Sequence, residues 1–129
     1  MVERASKAAR DPRAAALAAL YQADLRSDVD PAAHLAGKAK RYVVGVRTHQ
    51  RDLDRRIGAA SERWPIHRMP VVDRTILRLA LYELVHESTP TAVVLNEAVE
   101  LAKRYSTKKS GAFVNGVLST LAGQVRAQD

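Results

Sequence analysis

From Ala14 onward the apolar residues return every three or four positions, and proline, glycine and short polar turns separate one run from the next. That spacing is the period of an α-helix with one buried face. The first run holds Ala14, Leu17, Ala18, Tyr21 and Leu25. Asp11-Pro12 before it reads as a helix start, because aspartate accepts from the orphan amides and proline loses nothing at the first helical position. Asp28 to Gly37, with Pro31 and Gly37, predicts a connector holding at most one short helical turn. A long helix is predicted from about Lys38 to Ala60, with Val43, Val46, Leu53 and Ile57 buried and Gln50 interrupting them. Trp64-Pro65 breaks that pattern, and Pro65 to Met69 reads as a short turn. Pro70 opens the next helix, Val71 to about Glu87, which is apolar nearly all round and is therefore expected at the centre of the fold. Thr89-Pro90-Thr91 starts a further helix with Val94, Ala98, Leu101 and Tyr105 on one stripe. Ser106 to Ser110 is a basic, polar turn. The last helix carries Phe113, Val117, Leu118 and Leu121, and is expected to fray after Gly123.

The only strand-like run, Tyr42 to Val46, lies inside a longer stretch of helical spacing, so the fold class is all-α: a compact helical bundle of five main helices joined by short loops. A single domain spanning 1–129 is expected, with 1–10 a flexible basic leader and 123–129 a frayed tail. Hydrophobic residues at 47% and charged residues at 27% make a globular composition. Cysteine is absent, which excludes disulfides and thiolate zinc sites. No apolar run reaches the roughly eighteen residues of a membrane span, and residues 1–13 have no apolar signal region, so a cytoplasmic protein is expected.

Charge changes the picture more. The net charge is +7, and it is unevenly spread. Arg4, Lys7, Arg10 and Arg13 face only Glu3 and Asp11 in the leader. Lys38, Lys40, Arg41, Arg47, Arg51, Arg55 and Arg56 face only Asp52 and Asp54 in the long helix. Lys103, Arg104, Lys108 and Lys109 face no acid at all around the basic turn. The rest of the chain is net acidic. Basic regions of this kind point to a polyanion, and an acidic remainder suits a second kind of partner.

Candidate chemistry is sparse. His34, His49, His67 and His86 have no companions at metal-ligand spacing. Asp52 and Asp54 are two apart on a helix and face different ways. Lys108-Lys109-Ser110-Gly111 has the residue types of a phosphate loop without its glycine spacing or preceding strand. No nucleophile elbow is present. The residues point to a binding protein with no cofactor or metal and no enzymatic activity.

Two stretches carry a resemblance. Val72-Asp73-Arg74-Thr75-Ile76-Leu77-Arg78-Leu79-Ala80-Leu81-Tyr82-Glu83-Leu84 is the first. Val93-Val94-Leu95-Asn96-Glu97-Ala98-Val99-Glu100-Leu101-Ala102-Lys103-Arg104-Tyr105 is the second, followed by Ser110 and Phe113-Val114-Asn115-Gly116-Val117-Leu118. With Ala19-Leu20-Tyr21-Gln22 they resemble the NusB family of bacterial transcription antitermination factors, in order and spacing, from about Asp11 to Leu121. The resemblance implies two packed three-helix subdomains. It implies binding of the boxA element of nascent, single-stranded RNA, jointly with the tenth small-subunit ribosomal protein (NusE), within an RNA polymerase antitermination complex that supports ribosomal RNA transcription. It implies neither enzyme activity nor cofactor.

Carried onto this sequence, the family's RNA contacts fall on Arg10 and Arg13, with Arg4 and Lys7 in the same arm, and on Ser110 and Phe113. The partner-protein surface falls on Tyr21, Arg78 and Glu83. Plainer readings stand beside these. Tyr21 and Phe113 lie on apolar stripes and suit the core as well as a ligand. Arg78 and Glu83 suit solvated helix charges, and Arg47, Arg51 and Arg55 a solvated face. Asn96 and Asn115 read as inter-helix hydrogen bonders. The sequence also departs from the family: the arm is sparse and interrupted by Asp11 and Pro12, the connector is short enough to truncate the second helix, and Lys108 and Lys109 stand where acidic residues are common. Those two lysines therefore join the RNA-binding set. The competing readings are the NusB-like domain of a ribosomal RNA cytosine methyltransferase, against which no cofactor-binding domain follows Leu121, and a protein-only adaptor or homodimer that has lost RNA binding.

Overall fold

The computed structural model describes residues 11–62 and 64–126. The leader, with Arg4, Lys7 and Arg10, and the end of the tail lie outside the described residues. Among these there are five α-helices and no strand: α1 (Pro12–Leu25), α2 (Gly37–Ala60), α3 (Val71–His86), α4 (Thr91–Tyr105) and α5 (Ser110–Val125), with a 3-10 turn at Ile66–Arg68 before α3. Asp11 caps α1 through its side chain, which accepts from the Arg13 amide at 3.0 Å. The connector holds a single turn, Pro31 to His34, where a second helix would complete the first subdomain. Gly37 has a φ of 59°, the left-handed conformation that suits glycine, and turns the chain into α2.

α3 is the hub. It packs against α1, α2, α4 and α5, and Ile76, Leu77, Leu79, Leu81 and Leu84 on it are buried. Such all-round burial is why its sequence shows no polar face. α2 runs antiparallel to α3, since Arg41 near its start bonds Glu87 while Asp54 near its end bonds Arg78. The two helices approach closely at Gly45, where a side-chain carbon would collide with the Tyr82 ring. α5 runs parallel to α3: Ser110 at its start meets Asp73, and Arg126 beyond its end meets the end of α3.

Two expectations are corrected here. α5 does not stop at Gly123 but continues to Val125. Arg126 then donates to the carbonyls of Glu83, Leu84, Glu87 and Thr89, capping the last turn of α3 with a side chain. Asn96 and Asn115 make no bond between helices among the described residues, and both are exposed. Their polar side chains simply lie on the outer faces of α4 and α5.

Candidate functional site

The basic turn between α4 and α5 is held from below. Asp73, in the first turn of α3, is 2% exposed and accepts from Ser110 at 2.9 and 3.0 Å, and also from Ser106. Ser110 in turn meets the Thr107 hydroxyl at 2.9 Å. A carboxylate that accepts from two hydroxyls is satisfied without a cation, so the turn is fixed in place while its charges stay outside. Lys108 and Lys109 are both exposed. Lys109 is the N-cap of α5 and makes no side-chain capping bond, so the amide end of that helix reinforces the two ammonium groups as an anion site.

One turn into α5, Phe113 is half-buried, and its ring meets Trp64 edge to face at 5.1 Å between centroids. Trp64 sits on a tight turn: its amide donates to the Ser61 carbonyl at 2.9 Å, while the Ser61 hydroxyl bonds the carbonyls of Ile57 and Trp64. Ala60, Ser61, Glu62, Trp64, Phe113 and Thr120 line an open cleft of about 710 Å³ between the end of α2 and α5.

The other predicted site residues lie elsewhere. Arg13 binds Glu83 through Nε at 2.6 Å and Nη2 at 2.8 Å, and Tyr42 donates to the same carboxylate at 3.0 Å. The Arg13 and Glu83 side chains are 12% and 1% exposed. The bond to Glu83 pushes the guanidinium of Arg13 above its ordinary range, and burial, with the nearby Glu83 charge, pushes Tyr42 up to about 12. Arg13 as an RNA contact and Glu83 as a surface contact are thereby corrected: the two are spent on each other, joining α1 to α3. Ser110 is corrected likewise, being 2% exposed and bonded to Asp73. Arg78 lies between two helices, bonding Asp54 of α2 at 2.7 and 2.9 Å with Asp24 of α1 at 3.6 Å. It is not a solvated charge.

Tyr21 does reach the surface. It rims an apolar cleft of about 480 Å³ among α1, α3 and α4, with Ala14, Leu17, Ala18, Val72 and Tyr105. Trp64, Tyr105 and Asp73 were not singled out from the sequence. Trp64 looked like a breaker beside Pro65 and Tyr105 like a stripe residue, and the one available signal for Asp73 was a carboxylate in an otherwise apolar helix.

A family model, described as the NusB family, matches residues 10–123. A transcription antitermination protein NusB of Anaeromyxobacter sp. (strain Fw109-5) is 42% identical over 123 residues, 85% of this chain and 86% of that protein. The solved structure of Thermotoga maritima NusB superposes with a TM-score of 0.81 at 38% identity, over 88% of this chain and 89% of that one. A crystal structure of antitermination factors NusB and NusE in complex with double-stranded RNA gives a TM-score of 0.76 at 30% identity, over 88% of this chain and 94% of the matched one. With the family model covering most of the chain and these relatives matched over most of their own length, the chain belongs to the NusB family.

Proposed function

We propose that this protein is a transcription antitermination factor that binds boxA-type RNA together with NusE, and that it acts in the cytoplasm as a binding module without enzymatic activity. The observation that carries the reading is the basic turn: Lys108 and Lys109, unopposed by acid, on a backbone clamped to Asp73. Phosphate neutralisation by lysine and arginine supplies the sequence-independent part of RNA affinity. Fixing the turn in advance lowers the ordering cost of binding. The apolar cleft rimmed by Tyr21 and Tyr105 among α1, α3 and α4 supports a protein partner, since apolar, aromatic-rimmed patches are what partner surfaces use.

The test is a titration of the full chain with labelled single-stranded boxA-type RNA, with and without NusE. Affinity is expected to rise at least tenfold with NusE, and RNA to tighten the protein pair by the same factor, because coupling between two ligands is reciprocal. Equal affinity in both arms overturns the joint-binding reading.

A further inference from the structure

We infer that the cleft between Trp64 and Phe113 is a base pocket that selects a base bearing an exocyclic amino group, with Glu62 as its discriminating residue. The inference rests on the RNA-binding reading above and adds to it a subsite and a preference.

The walls come first. Trp64 is 37% exposed, although a tryptophan carries a large apolar surface that usually finds cover, and its ring stands at 62° to that of Phe113. Two aromatic faces at that angle make a corner that admits a flat ring against one face and edge-on to the other. Stacking on such side chains is how unpaired bases are held, and it is tolerant of base identity. The Ser61 hydrogen bonds fix the backbone under Trp64, so the corner is preformed.

The second observation is charge. The Lys108–Lys109 turn lies one helical turn from Phe113, whose amide donates to the Lys109 carbonyl at 3.2 Å. A backbone phosphate held at the lysines leaves its base within reach of the aromatic corner. The cleft itself is lined by Glu62. A carboxylate repels phosphate and accepts hydrogen bonds only. It therefore suits the amino edge of cytosine, whose N4 group donates, and penalises uracil, whose O4 carbonyl would meet the carboxylate at the same position. Phosphate at the exposed lysines and an amino-bearing edge at Glu62 is the arrangement that these positions suit.

Trp64 is the sole tryptophan of the chain and reports on its own site. The experiment titrates the full chain, with NusE present, with end-labelled oligocytidylate and oligouridylate of twelve nucleotides, reading anisotropy and, on unlabelled copies, tryptophan fluorescence. Oligocytidylate is expected to quench Trp64 and to bind about tenfold tighter than oligouridylate. Glu62→Gln, an exposed change, is expected to bring the two affinities within about twofold of each other. Trp64→Ala is expected to weaken both about tenfold, with Trp64→Phe restoring most of the loss. Equal wild-type affinities, or a preference that survives Glu62→Gln, overturn the inference. RNA binding with silent Trp64 fluorescence also overturns it while leaving the RNA-binding reading intact. No binding of either oligomer or of boxA-type RNA overturns both.

Discussion

At the scale of single residues, the most consequential group is Glu83. It is a charged side chain 1% exposed in the middle of the hub helix, satisfied by one guanidinium and one phenol. Removing one partner of a buried pair leaves the other charge stranded, at a typical cost of about 3–5 kcal/mol. Glu83→Ala is expected to lose that much stability in urea unfolding. The paired change Arg13→Met with Glu83→Leu is expected to recover most of it, because well-packed apolar replacements of a buried pair are often neutral. A loss below about 1 kcal/mol in the single variant contradicts the internal role.

His86 gives a pH dependence. Its ring stacks on His49 at 3.9 Å between centroids, and burial, then the neighbouring imidazole, holds its pKa below the ordinary value of 6.5. The unfolded chain therefore takes up this proton first as pH falls, so the contribution is present above the ordinary value and is lost on acidification through it. Melting temperature is expected to fall between pH 7.5 and 5.5, and His86→Gln to flatten that slope. An unchanged slope in the variant assigns the dependence to other groups. Glu87, held low by Arg41, enters only at lower pH. None of these pairings was legible in the sequence: Arg13 and Glu83 are seventy residues apart, and a carboxylate in an otherwise apolar helix marks Glu83 without naming its partner.

At the scale of elements the sequence is far more informative. The boundaries of α2, α3 and α4 follow from Gly37, Pro70 and Pro90, each acting on its own neighbours. α5 was harder to end, because Gly123 is a weak local stop and Arg126 is anchored by carbonyls about forty residues earlier. The same distinction applies to the basic turn. Its charges were readable, but the carboxylate that clamps it lies on another helix. Changing Lys108 and Lys109 to Glu is expected to weaken RNA binding and make the log–log salt slope shallower by about 0.7 per lost single-strand contact. Thermal stability is expected to stay within about 0.5 kcal/mol, since both side chains are outside the clamp. An unchanged slope returns the lysines to the solvated surface.

At the scale of the whole molecule, α3 works as a fixed bar with one anchor near each end. Asp73 holds the basic turn, and Glu83, ten positions on, holds the start of α1 through Arg13. Ten helical residues span about 15 Å. The start of α1 is therefore held at one end of the bar, while the lysine turn sits at the other. Stacked nucleotides advance about 3.4 Å along a strand, so roughly four must intervene before one RNA touches both ends. On the RNA-binding reading, an RNA below that length meets only one of these ends at a time. Above it, the second contact becomes intramolecular and its strength is set by an effective concentration, not by the concentration of RNA in solution. On that reading the buried pair at Glu83 gives the molecule a length threshold: RNAs are sorted by reach before any base is read.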